Sequence, residues 1–269
     1  MAVAAASWWR TTTQGWAQHH RQLPKPWQLM RAAASDYRAN WRVMGIIVLV
    51  VTVPVAILSN IGVSSTSDTT SAAYLAFAQL AMNAALIWAV IERRHNRPVS
   101  VRQAYYTGSA ALVRLVLVAV MLVGMSLLMV LGVVILGFGL AAPVAGESLP
   151  AGEQVLLALL AILVSIPSIV LLVRAMWAIY IVVETPLGPL EAIRKSRMLT
   201  RGKVVVTLSR LVALAVFLLL MVVVPVVVLL VLANLTHSVV FTILLQIFIS
   251  LLVLPLANFY LYGYYQGLA

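Results

Sequence analysis

Residues 115–140 read LVLVAVMLVGMSLLMVLGVVILGFGL, 26 residues without a single Asp, Glu, Lys or Arg. A helix of that length rises roughly 39 Å at about 1.5 Å per residue, more than the ~30 Å of bilayer hydrocarbon it would have to cross. Working outward, comparable apolar runs occupy 43–60, 72–91, 155–183, 204–233 and 238–262. The run at 155–183 is interrupted by Arg174, and the one at 204–233 carries Arg210 near its start. The chain has 269 residues, of which 63% are hydrophobic and 9% charged. Soluble domains average about 25% charged residues, so a soluble globular protein is excluded. The expected fold is all-α: a polytopic membrane protein with six transmembrane helices. The linkers between them are too short for a catalytic, nucleotide-binding or receptor domain.

The sequence has no cysteine, which removes disulfides, thiolate catalysis and Cys-ligated metals. His19, His20, His95 and His237 show no ligand spacing on a helix. No span holds a carboxylate near its centre, which counts against a proton- or cation-coupled transporter. The expectation is therefore a non-enzymatic protein with neither cofactor nor metal.

Net charge is +11, and its distribution is more informative than its size. Six Lys/Arg precede residue 43, five lie between 93 and 114, and six between 194 and 210, which is 17 of the 18. The linkers around Asp68, around Glu147 and Glu153, and around His237 carry none. Such one-sidedness reads as the positive-inside pattern of a bacterial inner-membrane protein with both termini cytoplasmic. The basic residues then face lipid phosphates, and nucleic acid is not an expected partner. Trp27, Trp41, Trp88, Trp177, Tyr180 and the C-terminal Phe259, Tyr260, Tyr262, Tyr264 and Tyr265 read as an aromatic belt on that same side.

Residues 1–25 form a Trp-rich arm, with Trp8, Trp9 and Trp16 beside Arg10, Arg21 and Lys25. The apolar run 1–6 is too short for a signal peptide. The arm suits either an anionic leaflet or a protein partner. From residue 26 onward the chain suggests three copies of one unit, at about 26–97, 98–185 and 186–269. Pro26, Pro98 and Pro186 each stand six residues before an alanine (Ala32, Ala104, Ala192) and sixteen before the basic edge of the next span. Each unit reads as a proline start, a short amphipathic helix lying in the interface and two crossings, so the repeats are parallel. In the first helix Met30, Ala33, Ala34, Tyr37 and Trp41 share a face. In the third, Ala192, Ile193, Ser196 and Leu199 oppose Arg194, Lys195, Arg197 and Arg201.

Arg174, Glu184, Gly188, Ala192, Ser196, Leu199 and Gly202 stand in the stretch 173–203, VRAMWAIYIVVETPLGPLEAIRKSRMLTRGK. This stretch resembles the signature of the glycerophosphoryl diester phosphodiesterase membrane-domain family and related six-span bacterial inner-membrane proteins of uncharacterised activity. The resemblance implies a membrane module from about residue 26 onward. It does not imply hydrolysis, because the soluble phosphodiesterase domain that some members carry has no room here.

Read physically, Glu184 answers a basic linker, Gly188 between Pro186 and Pro189 shapes a tight turn, and Gly202 ends or kinks the amphipathic helix. Arg174 would sit near mid-depth, where a cation either finds a partner inside the bundle or snorkels toward the cytoplasmic headgroups. On a continuous helix Glu184 lies about 80° away in azimuth, so Glu92, Asn83, Asn258 or a lipid phosphate are the candidates. Arg194, Lys195, Arg197, Arg201, Lys203, Trp8, Trp9 and Trp16 are expected to touch headgroups or a partner. Pro54, Pro167, Pro225 and Pro255 interrupt four spans, and Gly124, Gly132, Gly137 and Gly139 with Ala158, Ala161 and Ser165 would let spans three and four approach closely. Two functions follow. One is a scaffold or accessory subunit of a membrane complex. The other is a lipid-binding or lipid/solute transport protein using Arg174 and the basic interfacial helices.

Overall fold

A computed structural model describes residues 25–60, 69–141, 151–236 and 239–268. The regular elements there are all helices: α1 Pro26–Asn60, α2 Thr69–Arg94, α3 Val101–Ala110, α4 Leu112–Ala141, α5 Ala151–Ala175, α6 Ala178–Glu184, α7 Pro189–Leu199, α8 Val204–Thr236 and α9 Val239–Leu268. Six stretches are long and apolar enough to cross a membrane: Pro26–Ser59, Leu75–Arg94, Leu112–Ile135, Gly152–Glu184, Val204–Leu232 and Val240–Leu268. The protein is an all-α, multi-pass membrane protein.

The spans are not equally wrapped by protein. Half of the apolar window in α2 is buried, against 6% of that in α8, so α2 is central and α8 faces outward nearly all round. A helix that is apolar on every side and exposed is stable only against lipid or another apolar protein surface. α1 and α9 lie along each other, α4 and α5 form the tightest hairpin, and α2 contacts α1, α3, α4, α6 and α9. The core gathers toward the ends that carry the basic linkers. It joins Leu29, Met30 and Ala33 of α1, Ile87 and Ile91 of α2, Trp177 and Ile181 near α6, Ile193 of α7 and the C-terminal aromatics of α9.

Those aromatics correct the belt reading. Phe259, Tyr260, Tyr262, Tyr264 and Tyr265 are buried, as is Trp177, whose ring lies 5.4 Å from that of Tyr264 and 6.1 Å from that of Tyr265. They bury large apolar area while their hydroxyls reach polar partners: Tyr260 donates to the Arg210 carbonyl at 3.3 Å, and Tyr180 donates to Asn258 Oδ1 at 2.9 Å. Trp27 and Trp41, at 67% and 53% exposed, keep the surface position.

The helix before each odd span is present, with three different attachments. In the first unit it is continuous with the span, since α1 runs unbroken from Pro26 to Asn60. It therefore does not lie apart in the interface. Its Tyr37 donates to the Leu251 carbonyl of α9 at 2.9 Å, whereas Ala34 and Trp41, expected on the same face, are exposed. In the second unit α3 is separated from α4 by Ala111 alone. It presses Ala104 and Gly108 onto α2, so closely that a Cβ on Gly108 would lie 2.8 Å from the Ala85 Cα. In the third unit α7 is set off from α8 by residues 200–203.

Pro54, Pro167, Pro225 and Pro255 all sit inside continuous helices. The span that does break is the fourth, at Met176 and Trp177, nine residues beyond its proline. Of the glycines in α4, Gly132 fits the close-approach expectation, since a Cβ there would lie 2.8 Å from the Ala161 carbonyl oxygen. Gly124 and Gly137 face open space.

Candidate functional site

The break at Met176 and Trp177 builds the site. A helix that stops leaves its last carbonyls without intrahelical donors. The carbonyl of Arg174, in the last turn of α5, accepts the buried Ser196 hydroxyl of α7 at 2.6 Å. Thr200 Oγ1 in turn donates to the Ser196 carbonyl at 3.0 Å. Arg174 and Ser196 are thus joined through a backbone oxygen and not through the guanidinium. The chain then runs through α6 and returns along it as α7, which contacts α4, α5 and α6.

Two glycines of this segment behave differently. Gly202 has φ +76°, a left-handed conformation that ends the turn after α7 and favours glycine. Gly188 is the N-cap of α7 at φ −68°, ψ 159°, an extended conformation open to any residue. The tight-turn expectation at Gly188 is therefore corrected.

None of the protein partners expected for Arg174 bonds its guanidinium, and the bonds they do make run to other groups. Asn83 Nδ2 donates to the Gln79 carbonyl at 2.9 Å, Asn258 Nδ2 donates to the Leu254 carbonyl while its Oδ1 accepts from Tyr180, and Glu92 accepts from Arg97 NH1 at 3.3 Å. The 80° separation from Glu184 applies to one unbroken helix, and here Met176 and Trp177 stand between α5 and α6. Glu184 instead accepts from the Tyr262 hydroxyl at 3.4 Å. The Nε of Arg174 is buried without a hydrogen-bond partner among the described residues.

Several basic residues of the linkers are structural. Arg94 pairs with Asp36 of α1 at 2.9 Å, and Arg114 NH1 donates to the Thr185 carbonyl at 3.0 Å, tying the start of α4 to the end of α6. Arg210, counted with the linker from sequence, is buried, with its guanidinium carbon 4.6 Å from the Tyr264 ring centroid. Tyr105 of α3 donates to the Ile47 carbonyl at 2.6 Å, and burial pushes its phenol up to about 12, so it stays a neutral donor.

Arg194, Lys195, Arg197, Arg201 and Lys203 are different. None makes a side-chain hydrogen bond or ion pair among the described residues, and the single acid between residues 189 and 203 is Glu191. Ala192, Ile193 and Ser196 are buried beneath them, so the amphipathic face read from sequence is the one that packs. What the sequence did not reveal is an open groove of about 520 Å³ beside α7, lined by Met121, Gly124, Met125 and Leu128 of α4, Leu171 of α5, and Leu190, Ile193, Arg194 and Arg197 of α7. Two separate four-residue patterns had to be laid side by side to expose it. A second, apolar groove of about 370 Å³ lies between Trp27 and Met30 of α1 and Val216, Phe217 and Leu220 of α8.

Trp8, Trp9 and Trp16 lie outside the described residues. Among the described residues no group of three His, Asp or Glu is placed to hold a metal ion. Compared with protein-family models, curated proteins and solved structures, the chain matches none.

Proposed function

We propose that this chain is a non-catalytic bacterial inner-membrane protein, with both termini and its basic linkers in the cytoplasm, that engages anionic phospholipid headgroups through α7 and the turn that follows it. The observation that carries this reading is a set of five cations that lack acidic partners among the described residues: Arg194, Lys195 and Arg197 on α7, which is fixed to the bundle, and Arg201 and Lys203 in the turn that follows it. Cations fixed at the surface of an anionic leaflet are each worth about 1 kcal/mol of attraction, and the sum favours phosphate over a neutral surface. The resemblance of residues 173–203 to the phosphodiesterase membrane-domain signature supports a shared membrane module and carries no activity with it.

The scaffold reading draws on the arm with Trp8, Trp9 and Trp16, and no described residue favours it over lipid engagement. Native mass spectrometry of the protein extracted from its own membrane separates the two. Lipid engagement gives enrichment of anionic over zwitterionic phospholipid, abolished when Arg194, Lys195, Arg197, Arg201 and Lys203 are all replaced by Gln in a protein of unchanged melting temperature. A stoichiometric protein companion without that enrichment would replace this reading with the scaffold.

A further inference from the structure

The groove beside α7 has a regular construction. Its α4 wall is made of residues 121, 124, 125 and 128, and its α7 wall of residues 190, 193, 194 and 197. Both follow the i, i+3, i+4, i+7 spacing that places side chains on one helical stripe. On α4 the stripe is wholly apolar. On α7 it changes along its length, from Leu190 and Ile193 to Arg194 and Arg197. Two apolar walls with a cationic end match a molecule that has an apolar chain and an anionic head.

We propose that this groove holds one acyl chain of an anionic phospholipid, with the phosphate received by Arg194 and Arg197. The proposal rests on the headgroup reading above and narrows it to one site. Arginine forks bind phosphate oxygens in pairs, and Arg194 and Arg197 stand three residues apart on the same stripe without another partner among the described residues. Met121 and Met125 give the chain an unbranched, polarisable wall that adapts to its bends. Gly124 leaves the floor open, because a Cβ there would meet nothing within 4 Å. The apolar groove beside Trp27 lacks charged lining and has no comparable end for a headgroup.

The purified full-length chain in mild detergent is titrated with long-chain phosphatidylglycerol, long-chain phosphatidylcholine or dihexanoyl phosphatidylglycerol, and bound lipid is counted by native mass spectrometry. Wild type is expected to retain one long-chain phosphatidylglycerol and to bind the other two lipids about tenfold more weakly. Arg194→Gln with Arg197→Gln removes the phosphate contacts, and Gly124→Trp fills the groove with every cation intact. Each is expected to lose about tenfold in affinity, whereas Arg31→Gln with Arg38→Gln, exposed on α1 and away from α7, keeps the retained lipid. Gly124→Leu repeats the test with a smaller side chain if the Trp variant melts early. If both Gly124 variants bind as wild type does while the Arg194 and Arg197 pair is needed, the groove is overturned and the headgroup reading stands. Equal binding of dihexanoyl phosphatidylglycerol overturns the groove in the same way. Retention of phosphatidylcholine as strong as that of phosphatidylglycerol overturns both.

Discussion

Gly202 holds a left-handed backbone at φ +76°, and a Cβ in that conformation costs about 1–2 kcal/mol. Gly188, fourteen residues earlier in the same signature, has ordinary extended geometry and open space around it. Gly202→Ala should therefore destabilise the detergent-solubilised protein by about 1–2 kcal/mol, seen as a lowered melting temperature, and Gly188→Ala should stay within about 0.5 kcal/mol of wild type. Circular dichroism at 222 nm on both variants decides it; equal losses would mean that the two turns are not distinguished as described. At this scale the sequence was partly legible. A glycine after a cationic amphipathic run reads as a helix end, and Gly202 is one. The positive φ could not be assigned between the two glycines from residue type alone, because both adjoin helices and only one bears the reversal. Ser196 was visible as a buried-face residue, but its bond to the Arg174 carbonyl depends on a break whose place no proline or glycine marks.

The three helices before the odd spans show how an element's neighbours decide its role. α7 reads as amphipathic from its periodicity, and the face predicted to bury is the one that does. α3 reads weakly because its contact surface consists of Ala104 and Gly108, which give little hydrophobic contrast, yet it is pressed onto Ala84 and Ala85 of α2 at van der Waals distance. Small residues let backbones approach where large ones would separate them. Gly108→Ala puts a methyl 2.8 Å from the Ala85 Cα and should cost about 1–3 kcal/mol, with Tyr105 moving off the Ile47 carbonyl as α3 lifts. The check is a lowered melting temperature together with faster amide exchange in 101–110. Unchanged exchange would show that α3 is not held by this contact. The aromatic belt was misread for a similar reason: Tyr and Trp suit a membrane interface and a polar-edged core equally well by composition. Only the neighbours of α9 place its tyrosines inside.

For the whole molecule the sequence conveyed the number of apolar runs and their all-helical character, since hydropathy is a property of each segment alone. It could not convey which runs are wrapped by protein, because α2 and α8 are both apolar and differ only in what surrounds them. The proposed orientation is open to direct test, and the absence of native cysteine makes the test clean. Met198→Cys, exposed on α7, should resist a membrane-impermeant maleimide in intact cells and react after lysis, while Gly152→Cys, exposed at the start of α5, should react in both. The reverse pattern would invert the layout and withdraw the cytoplasmic headgroup reading.

The clasp between Ser196 and the Arg174 carbonyl also sets a distance. It fixes the height of the α7 cations relative to α5, so they cannot slide along the membrane normal to follow the headgroups. In a bilayer thinned by a few ångströms, the adjustment falls on helix tilt or on deformation of the surrounding lipid, at fractions of a kcal/mol per ångström. On the headgroup reading, the preference of this chain among membranes should follow their depth as well as their charge.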